Sequence, residues 1–121
     1  MKLSNFTNRK FIETIDASEW EVETCEGFKP IISSNKTIEY VVYKIELENG
    51  LSIKCADTHI LIDKNLQEIY AKDSFNKIIF TKFGNSKVIS VETLNISENM
   101  YDLSVDSEDH TYYTDDILSH N

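Results

Sequence analysis

Between Ile38 and Leu47, apolar and polar residues alternate: Tyr43, Ile45 and Leu47 fall on one side, and Lys44, Glu46 and Glu48 on the other. A period of two in a stretch rich in β-branched and aromatic residues is the mark of a half-buried strand. Asn49-Gly50 follows, a pair that tolerates positive φ and predicts a tight type I′ turn. Leu51, Ile53 and Cys55 then resume the alternation, so a hairpin is expected here. Weaker strand patterns surround it. Trp20 and Val22 precede a turn near Glu26-Gly27, with Phe28 and Ile31 after it. Lys77 to Phe80 and Lys87 to Ile96 are strand candidates separated by a turn at Gly84-Asn85. Tyr101, Leu103 and Val105 alternate, and Thr111 to Thr114 reads as extended. From Asn65 to Lys72, Leu66, Ile69 and Tyr70 share a face at helical spacing, which predicts a short helical turn.

Many short strands with polar turns predict an all-β domain. The length of 121 residues suits one domain. One proline, Pro30, and three glycines, Gly27, Gly50 and Gly84, leave no flexible linker to divide it, and no repeat or low-complexity tract occurs. The first fifteen residues are polar and irregular, so an edge strand is expected to come from elsewhere, because an unpaired sheet edge accepts a strand from another chain. Residues 1–11 are expected to be disordered without that partner.

Composition narrows the setting. Hydrophobic residues make up 40% of the chain, a globular fraction. No apolar run reaches the roughly 20 residues that cross a bilayer, and the polar start lacks the apolar core of a secretory signal. Cys25 and Cys55 are too few for a disulfide framework and lack metal-ligand spacing, so a reducing cytoplasm is the simplest location. The net charge is −9, and after Lys87 there are eight acidic residues and no Lys or Arg. Such a field disfavours nucleic acid and anionic membrane surfaces, and favours a neutral or basic partner held less tightly in salt.

The chemistry-bearing residues are three histidines and a terminal asparagine. His59 follows the return strand of the hairpin, His110 stands in Asp109-His110-Thr111-Tyr112, and His120 immediately precedes Asn121. Each histidine alone is more often a loop or half-buried residue than a catalyst, and three without a fourth ligand make a poor zinc signature. The terminal pair suggests more. An asparagine amide nitrogen can attack its own backbone carbonyl, closing a succinimide and releasing whatever follows. Both nucleophile and leaving group are poor, so an adjacent imidazole to move protons and a fold that holds the attack geometry are what the step requires.

Met100-Tyr101-Asp102-Leu103-Ser104-Val105, Asp109-His110-Thr111-Tyr112-Tyr113 and Ile117-Leu118-Ser119-His120-Asn121 together resemble the C-terminal blocks of an intein. Cys55-Ala56-Asp57-Thr58-His59-Ile60-Leu61 is similar to the intein block that carries the N-junction histidine, and residues 12 to 31 resemble the stretch after the first intein strands. The resemblance implies a Hint-type horseshoe of short, mostly antiparallel strands, with no cofactor and no metal, acting once as a self-processing element rather than turning over. The block that opens an intein with a junction Cys or Ser has no match here. The resemblance therefore implies a split intein: this chain is the C-terminal fragment of a mini-intein, and a short N-fragment supplies the first strand or strands and the nucleophile.

By the same resemblance, His59 would polarise or protonate the N-junction amide and Asp102 would couple the first steps to the last. His110 would assist Asn121, His120 would support cyclisation, and Asn121 would cyclise to free the C-extein that follows it in the precursor. Two positions depart from the family pattern. Ala56 stands where a threonine is common, leaving Thr58 as the nearby hydroxyl, and Asp115-Asp116 stands where Asn-Gly or a similar turn is common. Two other classes compete: a small β-rich binding module with an incidental His-Asn tail, and a cleavage-only autoprocessing domain related to hedgehog-type proteins.

Overall fold

The structure, a computed structural model, describes residues 2–5, 7 and 9–120. Ten strands occur among them: β1 (Phe11–Asp16), β2 (Glu21–Thr24), β3 (Gly27–Leu47), β4 (Ser52–Cys55), β5 (Ile60–Ile62), β6 (Glu68–Tyr70), β7 (Ile78–Thr81), β8 (Gly84–Val105), β9 (Thr111–Thr114) and β10 (Ile117–His120). All pair antiparallel, in the order β1-β3-β8-β7-β10-β5-β6, with β2 and β4 on β3 and β9 on β10. The only helical elements described are short 3-10 turns at Leu3–Asn5 and Ala71–Asp73.

The expected hairpin forms, with Ile45 opposite Ile53 and Tyr43 opposite Cys55. Its turn differs from the expected type I′. Leu47 N–H bonds Leu51 O at 2.8 Å across a three-residue loop, and within the loop only Gly50 takes a positive φ, +93°. A turn followed by one left-handed glycine is the usual three-residue solution. Two backbone-positive residues in succession occur instead at Asp115 and Asp116, φ 50° and 66°, which close β9 onto β10 as a two-residue loop. Aspartate, whose short side chain tolerates this region, takes the place of Asn-Gly.

The strands are not all short, contrary to expectation. β3 and β8 span 21 and 22 residues and form one ribbon, bent by register shifts near Lys36/Glu39 and at three other points. Such bulges break the alternation that a sequence scan follows. The turn expected at Gly84-Asn85 lies two residues earlier, at Lys82-Phe83, because Thr81 Oγ1 accepts from Phe83 N–H and donates to Gly84 O. The β2–β3 hairpin uses the same Thr-x-x-Gly device at Thr24 and Gly27. The helical turn expected over Asn65 to Lys72 is confined to a 3-10 turn at Ala71–Asp73, and the residues before it form a hairpin. Asp63 Oδ1 accepts the N–H groups of Asn65 and Gln67 at 2.8 and 2.9 Å, turning the chain so that Glu68–Tyr70 pairs with β5. Local capping by an aspartate overrides a weak apolar face.

Ile45, Leu47, Ile53, Leu61, Ile79, Val88 and Ile117 form the core with Cys55 and Ala71. Full burial of each large aliphatic side chain contributes about 1.5–3 kcal/mol. Contrary to expectation, the start is not irregular throughout: residues 11–16 themselves form the edge strand β1, exposed along its length and paired, among the described residues, to β3. Before it, Ser4 and Thr7 bond to Glu68 and Tyr70 of β6.

Candidate functional site

Strand β10 runs between β5 and β9, and its last residue, His120, is opposite Ile60 on one side and Thr111 on the other. His59 directly precedes Ile60 and His110 directly precedes Thr111. Pairing register alone therefore delivers the two distant histidines to the end of β10. The ring centroids of His110 and His120 are 6.2 Å apart. His110 is exposed and holds φ +57°, a left-handed conformation that turns the chain into β9. His59 Nε2 lies 2.9 Å from Ser119 Oγ. The hydroxyl at His59 thus comes from Ser119 of β10, not from Thr58.

Asp102 arrives from β8. The register shift opposite Lys36 and Glu39 bends the ribbon there, and Thr37 bridges it: its hydroxyl accepts from Met100 N–H at 2.9 Å and its carbonyl accepts from Asn99 Nδ2 at 2.8 Å. The bend leaves a cavity of about 410 Å³ beside the ribbon, lined by His59, Asp102, Tyr112 and His120 among others. Tyr112 links two of the walls, donating its hydroxyl to Asp102 Oδ1 at 3.5 Å and accepting from Leu103 N–H at 3.4 Å. A second cavity of about 260 Å³ shares Asp102, His120 and Arg9 with the first. So three of the five residues singled out in the sequence line one cavity, and His110 adjoins it through His120. Asn121 lies outside the described residues.

Arg9 carried no signal in the sequence, being one cation in a polar stretch. It is half-buried, tied in place by its guanidinium over the Tyr40 ring at 5.9 Å and by Ile38 N–H bonding to Lys10 O. Its charge acts on the whole cavity. Burial pushes the Asp102 carboxyl above the ordinary carboxylate range; Arg9, the Tyr112 hydroxyl and His120 pull it back. Burial, helped by Arg9, lowers the His59 imidazole to about 3, so it is neutral near pH 7. Tyr112 is driven upward, chiefly by burial and then by Asp102, and stays a phenol. Neutral His59 acts by a hydrogen bond, whereas an ionised Asp102 can accept a proton.

These charges have two measurable consequences. Unfolded His59 takes up a proton near its ordinary value of 6.5, while the folded ring does not until about 3. Its contribution to stability is therefore complete above pH 6.5 and is lost as pH falls from there toward 3, by at most about 1.4 kcal/mol per pH unit. Urea unfolding between pH 4 and 7 should show a shallower pH slope for His59→Gln than for the parent chain. The second concerns Arg9. In Arg9→Gln, the largest influence holding Asp102 down is gone and one that lowers His59 is also removed, so both groups rise. The acidic limb of any step that needs ionised Asp102 and neutral His59 should move to higher pH, read from cleavage rates across a pH series.

Among the described residues, no group of three or more His, Cys, Asp or Glu side chains is arranged to hold a metal ion, and no helix is long and apolar enough to cross a membrane. No protein-family model matches the sequence, and no curated protein matches it. Solved structures do. The VidaL intein (selenomethionine variant) matches with a TM-score of 0.77 at 24% identity, over 83% of this chain and 68% of its own. The gp41-1 intein matches with a TM-score of 0.69 at 21% identity, over 90% and 99%. A consensus engineered intein (Cat) with an atypical split site matches with a TM-score of 0.62 at 27% identity, over 93% and 86%. The chain has the all-β fold of the inteins, Hint type, with His59, Asp102 and His120 around the cavity at the end of its last strand.

Proposed function

We propose that this chain is the C-terminal fragment of a split intein, which joins with a short N-fragment and splices in trans. The observation that carries the proposal is the register of β10, which gathers His59 and His110 on either side of the histidine that precedes Asn121. Likeness to an engineered intein with an atypical split site supports the division into fragments, and the outer edge of β1, which no described strand covers, offers a strand from a second chain a place to pair.

In the proposed sequence, a thiol or hydroxyl of the N-fragment attacks the carbonyl of the residue before it. A C–S or C–O bond forms and the C–N bond breaks. Neutral His59 donates a hydrogen bond that polarises this junction. The nucleophile that begins the C-extein then takes the acyl group, giving a branched intermediate, with Asp102 placed to move the proton between the two ends. Finally Asn121 Nδ2 attacks the Asn121 carbonyl carbon, the following C–N bond breaks, and a proton passes to the departing amine. His120 and His110 serve that transfer. The products are a succinimide at Asn121 and a joined extein, which closes by acyl migration to an ordinary peptide bond. Mixing the chain, extended past Asn121 by a Ser- or Cys-initiated reporter, with a Cys-initiated N-fragment tests this. Ligated product supports it; two intact polypeptides after days would overturn it.

A further inference from the structure

A carboxylate outside the machinery just described faces the penultimate histidine. Glu68, in β6, places Oε2 3.9 Å from His120 Nε2, and the two side chains are only 8% and 14% exposed. A carboxylate so enclosed needs partners to remain in place. It has them in the N-terminal 3-10 turn: Ser4 N–H donates to Oε1 at 2.8 Å and Ser4 Oγ to Oε2 at 3.3 Å. The turn is itself secured. Thr7 Oγ1 donates to Leu3 O at 2.9 Å and lies 2.7 Å from the Tyr70 hydroxyl, two residues beyond Glu68 on the same strand.

We propose that Glu68 is a positioning residue for His120, and that the Ser4 turn holds it in that role. The inference rests on the splicing assignment for its consequence, but not for its geometry. An ionised carboxylate only accepts hydrogen bonds, so a ring nitrogen turned toward it is favoured as N–H. At 3.9 Å Glu68 acts on the ring through its charge rather than through a direct hydrogen bond, favouring the His120 tautomer with hydrogen on Nε2, the nitrogen that faces it, and biasing the ring's orientation. Other charged or titratable groups stand nearby: Asp102 from β8, His59 from the β4–β5 turn, His110 before β9, and Arg9 ahead of β1. Asp102, the carboxylate among them, takes the Tyr112 hydroxyl as its hydrogen-bond donor and acts on His120 through its charge. For a reaction at the next residue, ring orientation sets whether a proton can reach the departing nitrogen.

The test uses the full chain extended past Asn121 and paired with an N-fragment. Glu68→Gln should slow release of the C-terminal reporter about 10-fold, the scale of a lost supporting partner. Thiol-induced cleavage at the first junction should keep its rate, which separates positioning from general misfolding. Glu68→Asp, which keeps the carboxylate, should recover part of the loss, and deleting residues 2–5 should reproduce part of it. Independently of activity, ¹⁵N ring signals of His120 in the parent chain should report hydrogen on Nε2, and Glu68→Gln should mix the tautomers. A parent ring protonated on Nδ1, or Glu68→Gln releasing as fast as the parent, would overturn the proposal. Failure of the parent to release anything counts against the splicing assignment instead, and the ring signals still decide the role of Glu68.

Discussion

Asn121→Ala will stop release of anything attached after position 121 while leaving the first junction able to react. Alanine has no side-chain amide, so the intramolecular nucleophile is gone, and hydrolysis by water cannot match it. Holding a nucleophile beside its target is equivalent to a very high local concentration. A loss of more than about 10³-fold, roughly 4 kcal/mol of barrier, is expected. In the presence of an N-fragment, the branched intermediate should accumulate, visible as a species that a thiol cleaves. Gel separation with and without thiol checks both halves of this outcome.

His59→Ala will give the complementary pattern. The first junction should slow by about 10²-fold or more, the usual scale for a lost proton-handling side chain, while Asn121 still cyclises. The effect has a structural part as well. Ser119 Oγ loses its 2.9 Å partner, which costs about 1 kcal/mol of stability, so rates should be compared below the unfolding range. If first-junction cleavage were unchanged in His59→Ala, the neutral imidazole beside Ser119 would have no part in that step.

How far these residues could be read in the sequence depended on whether one segment carried the whole signal. The Ile38–Cys55 hairpin was legible because alternation and turn occur within eighteen residues. Its turn type was not. The Asn-Gly pair fits a two-residue loop, yet the inward faces of Leu47 and Leu51 are matched by a loop of three. The stretch from Asn65 to Lys72 misled because Leu66, at φ +61°, points outward, and the fold there is set by the Asp63 side chain. His59, Asp102, His110 and His120 stood out because their motifs follow in the right order. Glu68, Ser119 and Arg9 did not. Glu68 meets Ser4 across 64 positions, Ser119 meets His59 across 60, and Arg9 reaches the cavity from a stretch without periodicity. Contacts of that kind join segments far apart in the chain, and the order of residue types along it does not contain them.

The most direct measurement is the intact mass of this chain after incubation with an N-fragment and an extended C-terminal reporter. If the end of β10 drives the asparagine onto its own carbonyl, the freed chain will be lighter than its Asn121 acid form by one water, slowly regaining it as the imide hydrolyses. A freed chain that carries the full acid mass from the earliest time point, or no freed chain at all, would contradict that chemistry.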